Sequence, residues 1–367
     1  MTANLPAADE RLREVHWLRR LLARPELGAL AGTILVVAFF LVTAGGSGLF
    51  SAKGIVNFLE VSAQLGILAV AVTMLMIAGE FDLSVGSMIG FAGIVIAIPA
   101  AIWGWPVWTT ILLAFAVAVL VGYLNGLVVT RTGLPSFIVT LGSLFVLRGL
   151  TLGLTRLITG RTQVSGLHEL SANDWLAPFF SSLVGKDLVT WLAGVGVIGL
   201  RPDGQPMIQG VPLSIFWWIG LTLLAAFVLS RTRFGNWTYA CGGDPNAARN
   251  VGVPVARTKI ILFICTAMAA TLFAAIQVLS AGSADTLRGT QKEFEAIIAA
   301  VIGGTLLTGG YGSAIGALFG SLIFGLVQMG IFYTGVDTDW FKLFMGLMMV
   351  IAVLFNSYVL RRATEAH

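Results

Sequence analysis

Long apolar stretches alternate with short polar segments along most of the chain, and many of these stretches approach 20 residues. An α-helix needs about 20 mainly apolar residues to cross the hydrocarbon core of a bilayer. The pattern therefore predicts an all-α, polytopic membrane protein with about ten transmembrane helices. We place the crossings near residues 28–49, 56–78, 84–103, 106–129, 136–158, 213–230, 258–281, 296–308, 312–333 and 340–360.

Two apolar stretches do not fit a simple crossing. Residues 296–308, the eighth segment, reach only about 20 Å as a helix, and they are rich in glycine and threonine. We expect a short broken helix there, enclosed by protein, because irregular backbone is not tolerated against lipid. The stretch 175–200 is interrupted by Lys186 and Asp187, so we interpret it as interfacial elements within a long external loop, 159–212.

Composition supports a membrane location. The chain is 57% hydrophobic and only 11% charged, whereas soluble domains carry about 25% charged residues. So little charge would not cover the surface of a soluble fold of this length. The 44 glycines suit helices that approach each other closely in lipid.

The distribution of basic residues predicts the orientation. With the N-terminus inside, 13 of the 22 lysines and arginines fall in cytoplasmic segments, as the positive-inside rule requires. They are Arg11, Arg13, Arg19, Arg20, Arg24, Arg131, Arg231, Arg233, Arg249, Arg257, Lys259, Arg361 and Arg362. The tryptophans agree, because Trp103, Trp105, Trp108, Trp217, Trp218 and Trp340 fall at the predicted outer boundary, where aromatic belts form.

This topology divides the chain into three parts. Residues 1–27 are predicted to be a cytoplasmic segment with a basic amphipathic helix over 11–22, which would lie on the membrane face. Residues 28–360 form the ten-span domain, and residues 361–367 form a cytoplasmic tail. Both termini are therefore expected on the cytoplasmic side, together with the polar loop 231–258.

That polar loop carries the signals of a short helix. Asp244 is a good N-cap residue, and Pro245 suits the first turn. Gly252 and Pro254 then supply a stop. We expect a helix of one to two turns outside the bilayer. So short a helix is not stable alone, so it must dock on its own protein or on a partner, and the local sequence leaves both open.

The loop sequence RTRFGNWTYACGGDPNAARNVG resembles the cytoplasmic coupling loop of permease subunits in bacterial sugar ABC importers of the ribose/xylose/fructose type. Three further stretches resemble this family in the same order: GEFDLSVGSMIG at 79–90, PSFIVTLGSLFVLRGL at 135–150 and FEAIIAAVIGGTLLTGGYGSAIGALFG at 294–320. Glu80 departs from the family pattern, because it replaces a glycine. The resemblance covers nearly the whole predicted membrane domain.

The resemblance implies that several proteins share the work of transport. Two permease copies would form the pathway in a bacterial inner membrane, a cytoplasmic ATPase would bind ATP and Mg, and a periplasmic sugar-binding protein would deliver the monosaccharide. No cofactor and no catalytic residue is then expected in this chain. The residues expected to couple it to the ATPase are Gly243, Asp244, Pro245, Asn246, Ala247, Ala248 and Arg249.

Polar residues inside the crossings are candidates for the pathway, because they are costly in lipid. Asn57, Glu60 and Gln64 share one helical face, and Thr140 lies near the start of the fifth crossing. A sugar needs exchangeable hydrogen-bond groups along its route. The alternative is that these side chains bond neighbouring helices.

Arg148 is the most exacting of these candidates. It lies 12 residues after Ser136, about 18 Å into the membrane, where an unpaired guanidinium is costly. We expect it to approach Glu60 or to line an aqueous cavity. The alternative is a helix break at Arg148 and Gly149, with the cation held by freed carbonyls.

Other charges have simpler interpretations. Asp82, which precedes Ser84, is expected to cap the next helix, and proton coupling is the alternative. Asp285, Glu293, Asp337 and Asp339 are expected in outer loops beside Arg288 and Lys292, as solvated charges or as contacts for the binding protein.

Two other functions compete with an ABC permease. A proton-coupled secondary transporter would act without an ATPase, using Glu60 or Asp82. A membrane enzyme would need clustered histidine, cysteine or carboxylate side chains, and the sequence suggests no such set. Branched-chain amino acid permeases, whose membrane parts are distant relatives, are an alternative within the ABC class.

Overall fold

The computed structural model describes residues 25–364, and for residues 25, 338 and 355–364 it describes the backbone alone. The predicted amphipathic helix over 11–22 and the end of the tail lie outside the described residues. Most of the described chain is helical. The long helices are α1 (Pro25–Ala44), α2 (Ala52–Ile77), α3 (Val85–Trp103), α4 (Val107–Thr132), α5 (Ser136–Thr159), α9 (Leu213–Arg231), α12 (Val255–Ala281), α14 (Ala314–Thr334) and α15 (Phe341–Thr364).

Short elements connect these helices. They are β1 (Gln163–Ser165), α6 (Leu167–Ser171), α7 (Pro178–Ser181), β2 (Leu183–Val184), α8 (Lys186–Gly194), β3 (Val211–Pro212), α10 (Arg233–Gly243), α11 (Pro245–Asn250), β4 (Ser283–Asp285), α13 (Lys292–Ile302) and a 3₁₀ turn (Thr338–Trp340). The stretch 175–200 contains no helix long enough to span a bilayer, since its longest helix is the nine-residue α8. Strand β1 pairs antiparallel with β4, and β2 pairs antiparallel with β3.

Among the described residues, eight helices are long and apolar enough to span a bilayer: α1 to α5, α9, α12 and α14. The predicted all-α polytopic architecture is therefore confirmed. The eighth predicted segment is the 11-residue α13, which reaches only about 16 Å. The last segment, α15, has a shorter apolar part over Phe341–Leu354.

The core forms where α2, α3 and α12 meet, and these helices are the most buried of the bundle together with α14. Close packing depends on glycine. A Cβ on Gly122 of α4 would lie 2.6 Å from the Cα of Ile264, and a Cβ on Gly126 would lie 2.7 Å from the Cα of Ile260. These two glycines let α4 lie directly against α12, as small residues do in membrane bundles.

The two ends of the bundle differ in character. At one end, which we call the basic end, lie Arg131, Arg231, Arg257 and the α10–α11 segment. At the other, the aromatic end, Trp103, Trp105, Trp108 and Trp340 are exposed. Trp218 is not part of this belt: it is 3% exposed and packs against Gly66 inside the bundle.

One segment re-enters the bundle from the aromatic end. After α12, residues 282–291 run along α3 and lead into α13. A Cβ on Gly93 would contact Ala284 at 3.8 Å, a Cβ on Gly90 would lie 3.0 Å from the carbonyl oxygen of Arg288, and a Cβ on Gly86 would overlap Glu293. The first turn of α13 thus lies beside the first turn of α3, inside the protein.

This geometry corrects the prediction for Glu293. Its carboxylate is not a solvated loop charge, because the side chain lies in the first turn of α13 and is 4% exposed. Hydropathy placed the start of this helix at residue 296, since Lys292, Glu293 and Glu295 resemble loop residues. The neighbouring Lys292 and Glu295 form an ion pair one turn apart.

Candidate functional site

Two of the predicted pathway residues lie beside a polar recess near the aromatic end. Gln64 Nε2 donates to Glu60 Oε1 at 3.4 Å, so these residues of α2 are linked along one helical face. Gln277 Nε2 of α12 donates to Gln64 Oε1 at 2.9 Å. The three side chains form one hydrogen-bonded row across two helices.

The recess at the end of this row has a volume of about 340 Å³. It is lined by Gln64, Gln277, Ser280, Ala281 and Arg288. Sequence reasoning missed three polar members of this lining, Gln277, Ser280 and Arg288. An amide within the otherwise apolar residues 258–281 was a usable signal for Gln277. The position of Arg288 was not accessible from local sequence, because it depends on the re-entrant segment.

Asn57 and Thr140 do not line this recess, and each is hydrogen-bonded in another part of the protein. Asn57 Nδ2 donates to the hydroxyl of Tyr333 on α14 at 3.3 Å, which ties α2 to α14. Thr140 has no exposed surface. Its hydroxyl donates to the carbonyl of Ser136 at 2.8 Å and accepts from the backbone N–H of Leu83 at 3.1 Å. In this structure Thr140 therefore fixes the turn before α3.

Arg148 bonds to neither of the partners that we expected. Helix α5 continues through Arg148 and Gly149 without interruption, so the alternative of a helix break at this point is wrong. The guanidinium donates from Nε to Ser87 Oγ at 3.3 Å and from Nη1 to the hydroxyl of Thr290. Within the described part of the chain it makes no hydrogen bond to Glu60. Arg148 instead ties α5 to the first turn of α3 and to the re-entrant segment.

The turn between α2 and α3 is held by charged side chains. Glu80 forms an ion pair with Lys259 of α12, and the two side chains are 12% and 11% exposed. Asp82 is 1% exposed. Its carboxylate accepts from the backbone N–H of Ser84 at 2.9 Å and from the hydroxyl of Thr266 at 2.6 Å. Asp82 thus holds the turn before α3, but it does not cap the helix as predicted: Ser84 is the N-cap residue, and no side chain makes a capping hydrogen bond there.

The polar loop at the basic end contains the predicted short helix and one more. Helix α11 begins at Pro245, and Asp244 Oδ1 accepts from the N–H groups of Asn246 at 2.8 Å and of Ala247 at 3.0 Å. Helix α10, before it, was not predicted, because Gly235, Gly242 and Gly243 disfavour a helix interior. Its first turn is capped by Thr232.

Helix α11 has one buried face and one open face. Ala248 is 4% exposed and packs in a cluster with side chains of α2, α4, α10 and α12. The side chains of Asn246, Ala247 and Arg249 are exposed, and Val251 just after the helix is 80% exposed. The helix therefore docks on its own protein through Ala248 and presents a second surface outward.

Four glycines connect the end of α10 to the rest of the basic end. We call Gly79, Gly242, Gly309 and Gly310 the glycine junction. A Cβ on Gly242 would overlap the carbonyl oxygen of Ile77 and would lie 2.5 Å from the nitrogen of Gly310. A Cβ on Gly309 would lie 2.8 Å from the Cα of Gly79, and the N–H of Gly310 donates to the carbonyl of Ile77 at 2.9 Å. Backbone from α10, from the end of α2 and from the α13–α14 connection therefore meets directly.

The sequence comparisons place this architecture among transport proteins. Residues 54–353 match the family described as branched-chain amino acid transport system / permease component. The chain is 32% identical over 366 residues to the xylose transport system permease protein of Escherichia coli (strain K12), an alignment that covers 91% of this chain and 92% of that one. No solved structure matches the chain.

Two further relatives are named for other sugars. The fructose import permease protein of Rhizobium meliloti is 31% identical over 326 residues, which covers 89% of this chain and 83% of the relative. The ribose import permease protein of Escherichia coli (strain K12) is 31% identical over 326 residues, which covers 88% and 91%. The chain therefore belongs to this family of transport-system permease components, in the group that includes the xylose, fructose and ribose permeases.

Proposed function

We propose that this permease forms the membrane pathway for a monosaccharide in an ATP-binding-cassette importer. The relatives that share most of its length are named for xylose, fructose and ribose. The polar row from Glu60 to Gln277 supports this proposal, since a sugar needs exchangeable hydrogen-bond partners within the bundle. The nucleotide and Mg bind to a separate ATPase, and this chain carries no cofactor.

In this proposal the basic end faces the cytoplasm and the aromatic end faces the periplasm, as the positive-inside rule requires. Ten segments then enter the bilayer: the eight long helices, the half-length α13 and the final α15. Both termini are cytoplasmic. The 159–212 loop, with its short strands and helices, covers the outer face, where a sugar-binding protein delivers the substrate.

Helix α11 is the contact for the ATPase. The observation that carries this assignment is that α11 is capped by Asp244, anchored by Ala248 and open on its other side. An ATPase that binds the open face differently in two states shifts the permease between outward- and inward-open forms. The glycine junction passes that movement to α2 and to the α13–α14 connection. A second copy of the chain completes the transporter.

The test is uptake by the complete transporter in proteoliposomes, with the permease, its ATPase and its binding protein. We expect monosaccharide uptake that requires ATP and all three components. Asp244→Ala should lower this uptake roughly fivefold, because loss of an N-cap costs about 1 kcal/mol. Asp203→Ala is the matched control, since Asp203 also accepts a backbone N–H in an exposed turn, but in the 159–212 loop.

Two results would contradict this function. One is accumulation of sugar by the permease alone, abolished by a protonophore, which is the behaviour of a secondary transporter. The other is unchanged ATP-driven uptake in Asp244→Ala together with a loss in Asp203→Ala, which would move the coupling contact away from α11.

A further inference from the structure

We propose that the recess lined by Gln64, Gln277, Ser280 and Arg288 is a binding site for one neutral monosaccharide within the permease itself. The inference rests on the proposed function and deepens it, because it places the substrate at named side chains. Glu60 acts behind the site as a positioning residue. The recess lies between the outer halves of α2 and α12, at the point where the re-entrant segment leaves the aromatic end.

The hydrogen-bonded row fixes which atoms the recess offers. Glu60 Oε1 accepts from the amide nitrogen of Gln64, so that nitrogen faces Glu60. The oxygen of Gln64 then faces Gln277, which must donate with its own nitrogen. Gln277 Oε1 has no hydrogen-bond partner among the described residues, and it remains as an ordered acceptor at the end of the row. Glu60 thus sets the orientation of two amides.

Arg288 supplies donors on the other side. Its guanidinium carries five N–H groups and no acceptor, and Nη1 is buried without a hydrogen-bond partner in the described part of the chain. Arg288 lines the recess, so its other guanidinium N–H groups are the donors available to a ligand there. The backbone of Arg288 is fixed, because its carbonyl packs against Gly90 of α3.

The hydrogen-bond donors and acceptors of the recess together suit a polyol. Each sugar hydroxyl both donates and accepts, and the recess offers an amide acceptor, guanidinium donors and the hydroxyl of Ser280. Its volume of about 340 Å³ falls within the range of small-molecule sites. The cation of Arg288 is offset by the carboxylate of Asp285, three residues before it. The site therefore favours a neutral monosaccharide over a sugar phosphate or a sugar acid.

The experiment uses the complete transporter in proteoliposomes with D-xylose, D-ribose or D-fructose, whichever its binding protein carries. Gln277→Leu and Arg288→Met should each lower the sugar transported per ATP hydrolysed by roughly fivefold to tenfold, the loss expected for one or two hydrogen bonds. ATP hydrolysis stimulated by the loaded binding protein should persist, because the α11 contact is untouched. Glu60→Gln should give a smaller loss, since it leaves the amides free to reverse.

The matched control is Gln328→Leu. Gln328 is a glutamine of α14 that lines a different recess with Met329, Phe332 and Phe341, so its transport ratio should stay unchanged. If Gln277→Leu does not assemble, Ala281→Trp fills the recess from an exposed position at the end of α12 and should block sugar transfer. Saturation-transfer NMR of the same sugar on the permease–ATPase complex should lose its signal in either variant.

Three results would overturn the site: an unchanged transport ratio in Gln277→Leu and Arg288→Met, equal losses in Gln328→Leu, or preferred transport of an anionic sugar. Each of these leaves ATP-driven sugar uptake intact, so the proposed function would survive. Failure of uptake in the unmodified transporter would instead count against the function.

Discussion

At the scale of single residues, charged side chains inside the bundle are placed by partners far away in sequence. Lys259 reaches Glu80 across 179 positions, and Arg148 reaches Thr290 across 142. For Arg148 the sequence showed that a partner was needed, because an unpaired charge inside a membrane protein is costly. It did not show which partners, since Ser87 and Thr290 come close only through the packing of α3 and the re-entrant segment. Hydropathy therefore predicts that a buried charge needs a partner, and long-range packing determines which side chains bond to it.

The ion pair of Glu80 and Lys259 allows a prediction about stability. Lys259→Met leaves a largely buried carboxylate without its cation, which should lower the apparent Tm in detergent on the order of 5 °C. The double variant with Glu80→Leu should recover most of that loss, because an apolar pair of similar volume can replace a buried ion pair. Tryptophan fluorescence during heating measures both effects.

Lys186→Met is the control for this prediction, since Lys186 is exposed at the start of α8. Its Tm should match the unmodified protein. A double variant that is less stable than Lys259→Met would contradict the assignment, because the carboxylate would then have another stabilising contact.

At the scale of elements, the sequence predicted those helix ends that are decided by neighbouring residues. Helix α11 was predictable from Asp244, Pro245 and Gly252, since capping and the stop are decided within a few residues. Helix α10 was not, because its glycines are explained by contacts with Ile77 and Gly310 rather than by helix propensity. The early start of α13 was missed because its first turn is charged, and Glu293 in that turn is buried only where α3 lies beside it.

The glycine junction gives a prediction at this scale. Gly242→Ala places a methyl group into the carbonyl of Ile77, so α10 must move away from the end of α2. ATP hydrolysis by the complete transporter should then lose most of its stimulation by the loaded binding protein. Gly220→Ala in α9 is the control, since no atom lies within 4 Å of its added Cβ. Normal stimulation in Gly242→Ala would show that the junction does not carry the coupling.

At the scale of the whole molecule, the arrangement separates two surfaces. The recess opens near the aromatic end, and the exposed face of α11 lies at the basic end. Helices α2, α3 and α13 run between these two surfaces. The glycine junction lies at one end of these helices, and the contacts of Gly86 and Gly90 with the re-entrant segment lie further inside the bundle. The periodicity of apolar residues was enough to predict the bundle, but the half-length α13 and the recess depend on how its helices pack together.

Binding of the ATPase to α11 is tested most directly by photo-crosslinking in the assembled transporter. A photoreactive residue at Ala247, on the exposed side of α11, should form a covalent adduct with the ATPase. The same residue at Leu188, which is 60% exposed in α8, should form none with the ATPase. Adducts to the ATPase from position 188 but not from position 247 would contradict the account.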